Sequence, residues 1–285
     1  MSPARRGLML KAHAKINLHL DVGDRRRDGY HDLRTLFQEI SLHDTLTFAL
    51  DDSELHLDVT PAGVPSGPDN LVMRALYQLR AALKIEKGMR VKLEKRIPVG
   101  AGLGGGSADA AAALLGGWAL WRGRGKLPAG RRPPLALMRI ARTLGADVPF
   151  FLLGGTAWGE GVGEKLTRVP DCPRRWIVLV YPRVQVSTKI AYKLLDAARL
   201  RRPSTNGHVR AAHLRPMNSF EPVILPRFTA VRAAKEALDA AGCSGVLMSG
   251  SGSSVFGFAE TKKDAERVAR RLRKKPWDVF VAHTR

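Results

Sequence analysis

Apolar positions along this chain change period several times, and each change predicts a new element. Leu8 to Val22 alternates in part and predicts a strand, with Lys15 and Asn17 two residues apart and therefore on one face. Leu36–Leu50 and Leu55–Val59 predict further strands, and Pro61–Pro68 predicts a loop. From Asn70 to Leu83 the spacing of Leu71, Ala75, Leu76 and Leu79 becomes helical. Met89 to Ile97 alternates again and runs into a glycine-rich segment, after which an Ala-rich run from Ser107 predicts a second helix. That helix is expected to end near a Gly- and Pro-rich loop at 123–134. Leu135–Leu144 predicts a helix that delivers Gly145 and Asp147.

Beyond Pro170 the pattern restarts. Trp176–Tyr181 predicts a strand and Lys189–Leu200 a helix, followed by a polar basic segment ending near Pro216. Then come a helix at Val231–Ala241, strands at Val246–Met248 and Val255–Phe258, a helix at Thr261–Leu272 and a strand at Trp277–Ala282. Strands and helices mixed in this order predict an α+β protein with helices packed on largely antiparallel sheets. A chain of 285 residues exceeds a typical single core, so two domains are expected, 1–165 and 166–285.

The segment with most chemical content is Pro98-Val99-Gly100-Ala101-Gly102-Leu103-Gly104-Gly105-Gly106-Ser107. Glycines without Cβ let backbone N–H groups approach a ligand closely. Ser107 is expected to cap the helix that follows, and a helix N-terminus with unpaired N–H groups favours phosphate. Valine at Gly105 is expected to crowd bound phosphates and to exclude a φ > 0 geometry. A dinucleotide fold needs an acidic residue about twenty positions on, yet no Asp or Glu lies between Asp109 and Asp147. A P-loop needs a lysine at the end of the loop, and none is there. The signatures of protein kinases are also missing.

The net charge of +21 favours anionic ligands and raises the alternative of a basic RNA-binding protein. The charge is spread widely, and runs such as Arg25-Arg26-Arg27, Arg131-Arg132 and Lys262-Lys263 carry no interleaved aromatics, so no specific nucleic-acid partner is expected. Ala110–Trp121 is too short for a bilayer, and Lys11, His13 and Lys15 interrupt any signal-peptide core, so the expected location is cytoplasmic with no membrane partner. Cys172 and Cys243 fit neither a disulfide framework nor a zinc site.

The glycine segment resembles the second motif of the GHMP small-molecule kinases. Ala14-Lys15-Ile16-Asn17-Leu18 resembles their first motif, and Met248-Ser249-Gly250-Ser251-Gly252-Ser253-Ser254-Val255-Phe256 their third. Asp28-Gly29-Tyr30-His31, Gly145-Ala146-Asp147-Val148-Pro149-Phe150-Phe151 and Gly161-Val162-Gly163-Glu164 resemble segments of a cytidine-binding member. Ala108 departs from it, standing where that member usually carries a second serine.

The resemblance implies a two-domain fold, ribosomal-S5-like then ferredoxin-like. It also implies ATP with Mg²⁺, and phosphorylation of the 2-hydroxyl of a cytidine diphosphate methylerythritol in non-mevalonate isoprenoid synthesis. Residues Pro98 to Ser107 would bind ATP, with Asn70 either touching adenine or capping its helix. Lys15 would stabilise charge, and Asn17 would touch substrate or hold Lys15. Asp147 would be the base, although residue chemistry alone leaves a turn aspartate equally open. Tyr30 would stack on cytosine, His31 would bind it through ring or backbone, and Tyr192 is a candidate second ring. Thr188 and the turn Gly250-Ser251-Gly252 would hold substrate. Ser107 is a candidate magnesium ligand, and no others are identified. Mevalonate or homoserine as acceptor has no base to occupy Tyr30. Monomer and dimer are both compatible with the sequence.

Overall fold

A computed structural model of the chain describes residues 7–122, 126–127, 133–201 and 216–285. Most of the expected 123–134 loop, the Arg131-Arg132 pair and the basic segment before Pro216 lie outside those residues. The chain forms two compact units, each assembled from separate stretches. One contains Met1–Ala14, His43–Ile97 and Gly105–Gly154; the other contains Lys15–Leu42, Pro98–Gly104 and Gly155–Arg285. Two long strands, β1 (Leu8–Arg25) and β2 (His31–Asp51), pair with each other and contribute to both.

In the first unit, the later part of β2 runs antiparallel to β4 (Gly88–Glu94), and β3 (Leu55–Thr60) runs parallel to β4. Helices α1 (Leu71–Leu83), α2 (Gly105–Trp121), α3 (Leu135–Leu144) and α4 (Val148–Leu153) complete it. Leu46 and Phe48 of β2, Met89 and Val91 of β4, and Leu76 and Leu79 of α1 are fully buried in one cluster. Burying each such side chain contributes about 1.5–3 kcal/mol. Helix α2 is buried from Ala108 through Leu114 without a polar stripe, which fits a helix central to its unit.

In the second unit, the early part of β2 pairs with β5 (Thr156–Glu160), and β5 with β6 (Lys165–Arg168). A separate antiparallel sheet is built from β7 (Trp176–Tyr181), β8 (Ser244–Met248), β9 (Val255–Ala259) and β10 (Asp278–His283), in the order β10-β7-β9-β8. Helix α5 (Thr188–Arg201) and the short α6 (Glu221–Ile224) precede α7 (Thr229–Ala240), and α8 (Lys262–Leu272) joins β9 to β10. This strand order, with helices crossing after β7 and β9, is the ferredoxin-like arrangement. Helix α8 shows why it folds there: Ala265, Val268, Ala269 and Leu272 form one buried stripe, and the Thr261 hydroxyl caps Asp264 N–H.

The long strands and helices follow their periodicity. The sequence reading did not anticipate β5, β6, α4 or α6. These span four to six residues, too few for a period to emerge. Ser107 is also not the cap of α2. The helix begins two residues earlier, at Gly105, and Ser107 sits within its first turn.

Candidate active site

Lysine in a strand is ordinarily exposed, but Lys15 is only 4 % exposed and Asn17 only 2 %. Their shared strand face makes the contact that the spacing predicts. Lys15 Nζ donates to Asn17 Oδ1 at 2.7 Å, Asn17 Nδ2 donates to Thr35 Oγ1 at 2.7 Å, and Thr35 Oγ1 donates to the His19 carbonyl at 2.8 Å. Phe37 lies beneath, its ring centroid 5.4 Å from Nζ. Of the two sequence readings of Asn17, the geometry displays the one that holds Lys15.

The loop Pro98–Gly104 belongs to the same unit. Ala101 and Leu103 bury their side chains, while Gly100, Gly102 and Gly104 take φ of 69°, 78° and 70°. The carbonyls are tied down. Ala101 O accepts from Ser254 N, Gly102 O from Ser249 Oγ, and Leu103 O from Lys15 N. Among the described residues, no N–H from Gly100 to Gly104 donates to a protein acceptor. Carbonyls fixed to protein and N–H groups left over form a cradle suited to an anion.

The third motif is held from behind. Asn218 is buried and donates to the carbonyls of Met248 and Gly250, while Glu221 accepts from Met248 N and from Lys235 Nζ. Gly250 and Gly252 turn the chain at φ 58° and 94°. The hydroxyls of Ser251 and Thr188 lie 3.0 Å apart, so these two expected substrate contacts are bonded to each other.

Tyr30 is 63 % exposed. His31 is buried, and its ring stacks on Tyr192 with centroids 4.8 Å apart and planes at 27°. Its Nε2 lies 2.7 Å from Asp196 Oδ1. Tyr192 also meets the Phe220 ring edge-on.

The remaining expected residues fall in the other unit. Asn70 caps α1: its Oδ1 accepts from Val72 N and its Nδ2 donates to the Pro65 carbonyl. Asp147 occupies the N-cap position of α4, where its side chain makes no cap bond and its carbonyl accepts from Phe150 N. Gly105 does not have the expected positive φ. A Cβ there would stand 2.9 Å from Ile97 Cγ2 and 3.3 Å from Lys95 Nζ, so valine at Gly105 would strain protein packing before it crowded any phosphate.

Sequence reasoning missed Lys95. Its Nζ bonds Asp44 Oδ2 at 2.5 Å and Asp109 Oδ2 at 2.7 Å, and Asp44 Oδ1 accepts from the N–H groups of Arg96 and Ile97. This buried group fixes where the chain leaves β4 for the glycine loop. A signal existed: Asp44 shares parity with Leu42, Leu46 and Phe48 on the inward face of β2. Burial works against a charged Lys95, but Asp109 and Asp44 outweigh it and raise its pKa. Burial raises the Asp109 carboxyl to about 7, against the pull of Lys95; its Oδ1 has no partner.

A carboxyl whose pKa rises on folding holds its proton more tightly when folded. Its stabilising contribution is full below the ordinary value of 3.8 and is lost as pH rises through about 7. Denaturant titrations at about pH 5 and about pH 8 should therefore show a smaller loss of stability for Asp109→Asn than for wild type across this window. Equal losses would contradict the shift.

Among the described residues, no helix is long and apolar enough to cross a membrane. The sequence model described as "GHMP kinases N terminal domain" matches residues 70–155, and "GHMP kinases C terminal" matches 193–278. A protein of Geobacter sulfurreducens named 4-diphosphocytidyl-2-C-methyl-D-erythritol kinase is 42 % identical over 97 % of this chain and 99 % of its own. A protein of the same name from Acetivibrio thermocellus is 38 % identical over 97 % and 99 %. A crystal structure of 4-(cytidine 5'-diphospho)-2C-methyl-D-erythritol kinase is 37 % identical, with a TM-score of 0.79 over 97 % of this chain and 98 % of that one. Homoserine kinase from Cytophaga hutchinsonii, 19 % identical with a TM-score of 0.70 over 99 % and 96 %, shares the fold. With both halves matched and relatives this similar along nearly its whole length, the chain belongs to the GHMP kinase family.

Proposed function

We propose that this GHMP kinase transfers the terminal phosphoryl group of ATP to the 2-hydroxyl of 4-diphosphocytidyl-2-C-methyl-D-erythritol, in the cytoplasm, as a step of non-mevalonate isoprenoid synthesis. The observation that carries this reading is the 42 % identity over 97 % of the chain to a relative of that name.

Phosphoryl transfer needs positioning and charge neutralisation more than covalent help. The N–H groups of Gly100–Gly104, which donate to no described protein acceptor, suit the triphosphate, which is the fit that supports ATP here. Magnesium would neutralise part of that charge when bound. Ser107, in the first turn of α2, is the candidate that would hold it, whereas Asp109 is engaged by Lys95. An alcohol is a far weaker acid than a carboxylic acid, so Asp147 orients the hydroxyl and accepts its proton late in the transfer. Lys15, steered by Asn17, stabilises the developing alkoxide charge. The exposed Tyr30 ring offers cytosine a stacking face.

The test supplies ATP, Mg²⁺ and a panel of alcohols and measures ADP. Release is expected only with the cytidine ester; equal rates with mevalonate or homoserine would refute the assignment. In the same assay Tyr30→Ala should raise the KM for the cytidine ester by roughly five- to 150-fold, the equivalent of about 1–3 kcal/mol of stacking. Tyr30→Phe should lose little. Equal losses in both variants would make the hydroxyl, and not the ring face, the contact.

A further inference from the structure

We propose that Asp196 is a positioning residue that sets the proton pattern of His31, and through it the preference for a cytosine over a uracil ester. The proposal rests on the substrate reading above.

An ionised carboxylate can only accept a hydrogen bond, so the 2.7 Å contact with Asp196 Oδ1 places the proton on His31 Nε2. In the neutral ring that leaves Nδ1 with an in-plane lone pair. Nδ1 is bonded to no described residue and is not among the atoms sealed from solvent without a partner. Stacking on Tyr192, itself braced edge-on by Phe220, fixes the ring plane. His31 opens β2, immediately after the exposed Tyr30.

The outcome is a rigid ring that offers one acceptor. Cytosine carries an exocyclic amine, a donor, where uracil carries a carbonyl, an acceptor. An acceptor held at that edge bonds the first and repels the second. The opposite tautomer, with Nδ1–H, would reverse the preference. Asp196 lies on α5, 165 residues from His31 in sequence, and is 30 % exposed on its side chain. It is thus a partner that no local motif around Tyr30 and His31 announces.

The experiment uses the full chain and two readouts. Nitrogen NMR of the ligand-free protein should show His31 protonated on Nε2 and bare on Nδ1, with that preference relaxed in Asp196→Leu and Asp196→Ala. Kinetics with the cytidine and uridine diphosphate esters of methylerythritol should show the cytidine preference falling by about tenfold in both variants, the value of one hydrogen bond of about 1.4 kcal/mol. The KM for ATP should stay unchanged. Leu keeps the size of Asp but accepts no hydrogen bond, so a purely packing role would leave the Leu variant at wild-type preference; that result would overturn the proposal. A proton on Nδ1 of the wild-type ring would also overturn it. Wild-type protein that used neither ester would overturn the substrate reading, and the base preference with it. The ligand-free spectrum tells that failure apart, because it reports the Asp196–His31 contact without substrate.

Discussion

Asp147→Asn is expected to lower kcat by roughly 10²–10⁴-fold, the usual range for a lost general base, while ATP affinity and thermal stability remain near wild type. The replacement keeps the size of the side chain and its ability to orient a hydroxyl, but not its ability to take a proton. Stability should survive because Asp147 makes no side-chain cap bond to α4, and its backbone carbonyl, which the substitution leaves in place, closes the turn at Phe150. The apolar residues that follow, Val148, Pro149 and Phe150, are buried and hold the position whatever the side chain. Steady-state kinetics and ATP binding by calorimetry read the two parts separately. A kcat within a few-fold of wild type would remove Asp147 from the chemistry. A loss of ATP affinity equal to the loss of kcat would make it a nucleotide contact.

How far the sequence anticipates this depends on the range over which each residue finds its partners. Asn17 is legible because its partner Lys15 is two positions away on the same strand face, and Asn70 because a cap acts within one turn. The glycine loop is legible because it needs unusual backbone angles, and Gly100, Gly102 and Gly104 adopt them. Gly105 follows a different logic. It is small because Ile97 and Lys95 press on it, a contact made only once β4 and α2 have packed. Lys95 itself reads as part of a charged run, Glu94-Lys95-Arg96, and becomes a buried ion pair only because Asp44 and Asp109 meet it from other elements. Breaking such a pair on one side costs about 3–5 kcal/mol, so the group specifies the loop's anchor even if it adds little net stability. The compact units were similarly hidden: each is stitched from three stretches, and β1 and β2 each change unit partway along. No linear composition shift marks that.

Gly102→Ala is expected to weaken ATP binding by more than about tenfold and to lower the melting temperature, because two independent constraints forbid a side chain there. The residue sits at φ +78°, where an L side chain costs about 1–2 kcal/mol. A Cβ would also lie well inside contact distance of the Ser249 carbonyl oxygen and 2.9 Å from that of Gly252. Backbone cannot rotate away as a flexible side chain can, so the loop must withdraw from the third motif, at a further cost of about 1–3 kcal/mol. Withdrawal breaks the Ser249 Oγ bond to Gly102 O and loosens the neighbouring Ser254–Ala101 and Lys15–Leu103 bonds that turn the loop carbonyls away from the N–H cradle. These costs lie below a typical total stability of about 5–15 kcal/mol, so the variant should still fold. Gly106→Ala separates the causes. Its Cβ would meet only Leu71 Cδ1, at an ordinary 3.6 Å, and its φ is not positive. Alanine there should leave the melting temperature unchanged or slightly higher, since it favours the first turn of α2. Any loss of ATP affinity in Gly106→Ala then reports crowding of the nucleotide itself. If Gly102→Ala binds ATP as wild type does despite a lowered melting temperature, the loop serves the packing of the third motif, and the phosphates lie elsewhere.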